Sequence, residues 1–99
     1  MKILALEKEK EKATAGRVQP LLRAEAAQVW ELYQAEVLRE IYFRADRPEA
    51  VLVMECENLS EAEAALNSLP LVQEGLIEFE IIPLAPYPGF RRLFGEQAR

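Results

Sequence analysis

The stretch that decides the fold spans residues 37 to 57. It reads Val37-Leu38-Arg39-Glu40-Ile41-Tyr42-Phe43-Arg44, then Ala45-Asp46-Arg47-Pro48-Glu49-Ala50, then Val51-Leu52-Val53-Met54-Glu55-Cys56-Glu57. The outer segments are rich in branched and aromatic residues, which suit a pleated surface, and the six residues between them have turn composition. The stretch predicts a β-hairpin with a long loop. With Arg44 opposite Val51, Glu40 lies opposite Glu55 and Ile41 opposite Met54. One face then carries Ile41, Phe43, Leu52, Met54 and Cys56, as a core side would. The other carries Leu38, Glu40, Tyr42, Arg44, Val51, Val53 and Glu55. A slip of one residue exchanges the two faces.

Working outward, Leu22, Ala26, Val29, Trp30 and Tyr33 recur at helical spacing within residues 21 to 34, and Pro20 suits the first turn. Ahead of this helix, residues 8 to 12 alternate base and acid and read as a solvated loop that Thr14 and Gly16 continue. Residues 3 to 7 make a first strand. Behind the hairpin, Ser60 caps a second helix and Glu63 completes a capping box. Ala62, Ala65, Leu66 and Leu69 form its buried stripe, and Pro70 stops it. Residues 76 to 84 make the last strand, with Ile77, Phe79 and Ile81 inward and Glu78, Glu80 and Ile82 outward.

The order βαββαβ predicts an α+β, ferredoxin-like fold: a four-stranded antiparallel sheet, both helices on one face, right-handed crossovers. The helix-free face mixes Leu38, Tyr42, Val51, Val53 and Ile82 with charges. Two readings fit it: a sheet packed on a second copy around a partly polar cavity, or an open solvated face.

The chain has 99 residues, which fits one domain, 1–99, with 86–99 as an irregular tail set by Pro86, Pro88 and Gly89. Phe90, Leu93 and Phe94 put apolar surface on that tail. Net charge is −5, from 12 basic and 17 acidic residues. Such a balance repels phosphate backbones and anionic lipid, so neither nucleic acid nor a membrane surface is an expected partner. The single cysteine, Cys56, permits no intrachain disulfide and sits in an apolar run. There is no histidine, which removes the commonest metal ligand and the usual general base. No metal and no cofactor are expected. No apolar run reaches the length of a membrane helix, and the opening Met1-Lys2-Ile3-Leu4-Ala5-Leu6 is short for a signal peptide, so a cytoplasmic protein is expected.

Leu69-Pro70-Leu71 followed by Gly75-Leu76-Ile77-Glu78-Phe79-Glu80 and Pro83-Leu84 resembles the second-half pattern of the muconolactone-isomerase-like proteins. Leu38-Arg39-Glu40-Ile41-Tyr42 resembles their second strand, with its Arg near the start and an aromatic further on. The resemblance covers about residues 1 to 90. It implies a ferredoxin-like fold whose sheets pair into a dimeric α/β barrel, often within larger oligomers. It also implies isomerisation of an unsaturated lactone with no metal or organic cofactor. The chain departs from the pattern in two places. Glu40 stands where the family has a histidine beside the Arg, and the Pro86-Tyr87-Pro88-Gly89-Phe90 tail differs, as in a divergent branch.

Shifting a proton next to a carbonyl needs a base at carbon and a donor or cation at oxygen. Glu40 or Glu55 can supply the base, and two facing carboxylates raise one of their pKa values by repulsion. Arg44 can hold an acid or lactone oxygen through its planar fork, or simply pair with a surface acid. Tyr42 can donate a hydrogen bond. Glu80 shares a strand face with Glu78, as an acid and base for substrate or as the solvent side of an edge strand. Trp30 is either core or a wall for stacking a substrate. Arg39 snorkels to solvent, pairs with an acid or, as its family counterpart implies, reaches a ligand. Two functions compete: a cofactor-free isomerase of a small unsaturated acid or lactone, and a non-enzymatic small-ligand binder or structural oligomer.

Overall fold

A computed structural model describes residues 1–95. Its elements are β1 (Lys2–Glu9), α1 (Ala15–Val18), α2 (Leu22–Gln34), β2 (Leu38–Phe43), β3 (Ala50–Glu55), α3 (Leu59–Asn67), α4 (Pro70–Gln73) and β4 (Ile77–Pro83). Short 3-10 turns occupy Gln19–Leu21 and Gly89–Phe94. The strands form one antiparallel sheet in the order β2-β3-β1-β4, the ferredoxin-like arrangement. The sheet is open, not closed into a barrel. Alternation along β1 sets its two sides: Ile3 and Ala5 are fully buried, while Leu4 and Leu6 face the other way and are half-buried. Ile3, Ala5, Leu52 and Met54 pack with Ala62, Leu66 and Leu69 in one apolar cluster. Burying each large side chain there contributes roughly 1.5–3 kcal/mol.

The hairpin folds as expected, but two residues out of the expected register. Ile41 pairs with Leu52, Tyr42 with Val51 and Phe43 with Ala50. The Arg44 N–H donates to the Glu49 carbonyl at 2.9 Å and closes a shorter loop. A shift of two residues returns every side chain to its own face, so Ile41 and Phe43 still share a side with Leu52 and Met54. Leu38 is the exception. A β-bulge lies between Leu38 and Glu40, and the extra residue turns Leu38 into the core, where it is 1% exposed.

Other boundaries differ for local reasons. Asn58, not Ser60, caps α3: its side chain accepts the Glu61 N–H at 2.9 Å, so the helix starts two residues earlier. β1 runs on through Lys8 and Glu9, opposite Glu78 and Ile77. The alternating charges there pair across strands, Lys8 with Glu80 and Lys10 with Glu78, both at 3.7 Å. Pro20 is the second residue of the 3-10 turn ahead of α2, and Pro70 opens α4.

The last turn stands apart from the body. Tyr87 packs edge-on against Phe90 at 5.1 Å, yet Phe90, Leu93 and Phe94 are largely exposed. The radius of gyration, 16.3 Å, exceeds the ~13 Å of a compact chain of this length.

Candidate functional site

Of the apolar stripe of α2, Val29 packs against the core, but most of the stripe stays outside it. Leu22, Trp30 and Tyr33 are 41%, 56% and 49% exposed, and the half-buried residues of the helix are Glu25, Gln28, Val29 and Leu32. The stripe instead walls an open groove of about 730 Å³ between α2 and the β2–β3 side of the sheet. Trp30 stacks on Tyr33 at 5.8 Å along this wall, and Ile41 and Phe43 of β2 belong to the opposite side. Leu38, Leu52, Leu69, Leu71 and Phe79 also line it, with the small residues Ala26 and Ala50 leaving room. A groove of this size and apolar character suits a one- or two-ring organic molecule.

Glu7, Glu25 and Glu40 line the groove, and the first two each answer a backbone need. The β1–β3 ladder ends at the Leu6–Val51 pair, and Glu7 Oε1 accepts the next free amide, Ala50 N–H, at 3.2 Å. Leu71 sits in the first turn of α4, where amides have no partner inside the helix, and Glu25 Oε1 accepts its N–H at 2.9 Å. Both side chains are half-buried. Burial pushes the Glu25 carboxyl above its ordinary pKa, and the hydrogen bond from Leu71 partly offsets it. Burial likewise raises Glu7, offset by the Ala50 amide, while the negative charges of Glu49, Glu9 and Glu25 add to the rise. The pair can therefore hold and release protons closer to neutrality than free carboxyls do.

Four of the residues expected from sequence come together on this groove: Trp30, Arg39, Glu40 and Tyr42. Arg39 sits at the bulge with its Nε donating to the Glu36 carbonyl at 2.7 Å. Glu36 has φ of 64°, a left-handed turn that ends α2 and brings the chain into β2. Tyr42 Oη donates to Glu40 Oε1 at 2.6 Å, and this bond raises the tyrosine pKa. Strand alternation puts this pair on the helix-free side, at the lip of the groove.

The other three lie elsewhere. Arg44 forks onto Asp46 at 2.8 and 2.6 Å and reaches Glu49 at 3.9 Å, at the hairpin tip. Glu55 is held at 2.6 Å by the amino group of Met1, which lowers its pKa. Glu80 pairs with Lys8. Glu40 stands opposite Val53, so the facing Glu40–Glu55 pair does not form. Cys56 is buried, and burial raises its thiol pKa. Among the described residues no group of three or more His, Cys, Asp or Glu could hold a metal ion, and no helix is long and apolar enough to cross a membrane. Glu7 and Glu25 escaped the sequence reading. The signal was present: Glu7 is in phase with Ile3 and Ala5, and Glu25 shares a helical face with Val29 and Leu32.

A crystal structure of muconolactone isomerase at 3.3 Å resolution matches with a TM-score of 0.73, covering 89% of this chain and 92% of that one at 17% identity. The chain has the muconolactone isomerase fold. A second match is 5-chloro-2-hydroxyhydroquinone dehydrochlorinase from Burkholderia phenoliruptrix, in complex with 2,5-dihydroxybenzoquinone. Its TM-score is 0.66 at 18% identity, covering 86% of this chain and 94% of that one. No protein-family model and no curated protein matches the sequence. At these identities the likeness to muconolactone isomerase is one of architecture.

Proposed function

We propose that this chain is a cofactor-free isomerase that moves a proton on a small unsaturated lactone or related acid bound between α2 and β2. The observation that carries the reading is the pair of half-buried carboxyls, Glu7 and Glu25, whose pKa values burial raises, in an apolar groove of ring-holding size. One carboxylate takes the proton from ring carbon as the other, protonated, donates to the carbonyl oxygen. The resulting dienol returns its oxygen proton and is protonated at the distal carbon, so the double bond shifts with no net change in composition. Arg39 and Trp30 serve as ligand contacts at the rim and wall, with Glu40 and Tyr42 at the lip. Both fold neighbours are named for unsaturated ring substrates, which supports the class. In this reading Arg44, Glu55 and Glu80 stay with their ion pairs.

The test is deuterium uptake. Muconolactone and simpler unsaturated lactones are incubated with the protein in deuterated water and followed by proton NMR. Exchange at ring carbon that falls at least tenfold in Glu7→Gln or Glu25→Gln supports the reading; no exchange on any of them refutes it. A second reading, a small-ligand binder without turnover, is favoured by the backbone amides that occupy Glu7 and Glu25. Quenching of Trp30 fluorescence without exchange would select it.

The same reading takes the protein as cytoplasmic and working as a homodimer or larger assembly. Its support is the helix-free face, where Leu4, Leu6, Val51, Val53 and Ile82 lie half-buried in the isolated chain, and the exposed aromatic tail. Residues 1–99 act as one domain, with the segment from Pro86 strapping the partner. Light scattering should give at least twice the chain mass, and removing residues 86–99 should weaken assembly while the domain stays folded.

A further inference from the structure

Glu7 and Glu25 do not have the same neighbours. Glu25 belongs to α2 and accepts the Leu71 N–H of α4. Glu7 lies on β1 beside the base of the hairpin loop, where its Oε1 accepts the Ala50 N–H. The residue before Ala50 is Glu49, the last of the β2–β3 loop. Its Oε2 accepts the Glu9 N–H of β1 at 3.3 Å. Its Oε1 accepts the Arg47 Nε–H at 2.5 Å and lies 3.9 Å from Arg44 Nη1. The Glu9 N–H and the Arg47 guanidinium hold Glu49 below the ordinary carboxyl pKa, so it keeps its charge through the neutral range. A fixed anion whose side chain is only 15% exposed therefore stands next to Glu7. The charged groups facing Glu7 are Glu9 from its own strand, Glu49 from the loop and Glu25 from α2. Its partner on β4 is the uncharged Phe79, and Arg39 and Glu40 of β2 line the same groove. Repulsion between Glu7 and Glu25 is mutual and favours neither. After burial, Glu49 is the largest of the charges that raise Glu7, and it does not act on Glu25.

We propose that Glu49 is a positioning residue for the isomerisation: by fixing a negative charge beside Glu7, it makes Glu7 the general acid and leaves Glu25 the base. This rests on the isomerase reading and assigns its two roles. The Glu25 carboxylate takes the proton from ring carbon, and the C–H pair becomes the new double bond. The carbonyl pair meanwhile takes the proton of Glu7. The dienol then returns its oxygen proton to Glu7 and receives the Glu25 proton at the distal carbon, so both carboxyls are restored. Turnover needs Glu25 ionised and Glu7 protonated. Its rate should rise with pH as Glu25 ionises and fall as Glu7 does.

Two readouts test this. Carbon NMR of protein labelled at the glutamate carboxyls follows the titration of Glu7 and Glu25, each assigned by the signal lost in its glutamine variant. Deuterium exchange against pH follows the reaction. In wild type Glu25 should ionise before Glu7. Glu49→Gln keeps an acceptor for the Glu9 N–H and removes the charge, so the Glu7 midpoint and the falling limb of exchange should both move to lower pH. Arg47→Gln leaves the Glu49 charge less neutralised, and both should move to higher pH. Glu49→Asp keeps the charge and should restore most of the wild-type profile. A merely structural Glu49 would not move the glutamine variants in opposite directions. A Glu7 midpoint that stays or rises in Glu49→Gln overturns the proposal, as does Glu7 ionising before Glu25 in wild type. Should Glu49→Gln fail to fold by circular dichroism, the wild-type order and Arg47→Gln still decide. Midpoint shifts as expected without any exchange would remove the isomerase reading, and the acid and base roles with it, but not the hold of Glu49 on Glu7.

Discussion

The Glu25 side chain offers a graded perturbation. In the folded chain its Oε1 accepts the Leu71 N–H, a helix-end amide with no intrahelical partner. Glu25→Ala deletes the acceptor and leaves that amide half-buried. An unsatisfied buried donor costs about 1–3 kcal/mol, and partial exposure at this site puts the expected loss near the lower end. Glu25→Gln keeps a carbonyl oxygen for the same bond and removes the charge. Burial raises the Glu25 pKa, so the folded state holds the proton more tightly than the unfolded chain. Stability from that proton is complete below the ordinary value of 4.5 and is lost as pH rises through the higher folded value. The glutamine variant has no such loss. Relative to wild type it should gain stability across that rise and show no gain at lower pH. Urea unfolding followed by circular dichroism reads both effects. With a slope of about 1 kcal/mol per molar urea, the alanine midpoint should fall by about 1 M. Equal destabilisation by alanine and glutamine, or a glutamine effect that does not change with pH, would refute the assigned role of Glu25.

Leu38→Ala should cost about 2–5 kcal/mol in the same assay, because the bulge places that side chain in the core. Asn58→Ala should cost about 0.5–2 kcal/mol and Ser60→Ala almost nothing, which separates the observed cap of α3 from the residue the sequence suggested. In Gly89→Ala the new Cβ runs into the Tyr87 ring, so the edge-on Tyr87–Phe90 contact should be lost. Near-ultraviolet circular dichroism should change while the unfolding midpoint of the sheet does not.

The strand and helix order was legible because alternation and helical spacing are local. Face assignment in the hairpin survived an error in register because the side-chain period is two; it failed at Leu38, where a bulge adds a residue that no alternation rule foresees, and Ile41 and Phe43, on the expected side, stay exposed at the groove instead of entering the core. The α2 stripe was read with the correct period, but only Val29 of it reaches the core, while Leu22, Trp30 and Tyr33 stay exposed. Glu25 and Gln28 turn inward because the Leu71 amide and the Ser68 hydroxyl, more than 35 residues away, wait for them. Spacing within a helix carries no information about such distant partners. For the same reason half of the candidate site was found. Trp30, Arg39, Glu40 and Tyr42 gather at the groove, while Glu55 and Arg44 are claimed by Met1 and Asp46, contacts set by tertiary structure and loop closure.

Because the groove lies on the helix side, β2 serves two compartments at once. Its odd-numbered residues Ile41 and Phe43 look toward the groove, and its even-numbered residues Glu40 and Tyr42 look toward the opposite surface. A rigid ribbon cannot move one set without the other. A shift of this border strand on the groove side therefore displaces Glu40 and Tyr42 on the other side as well.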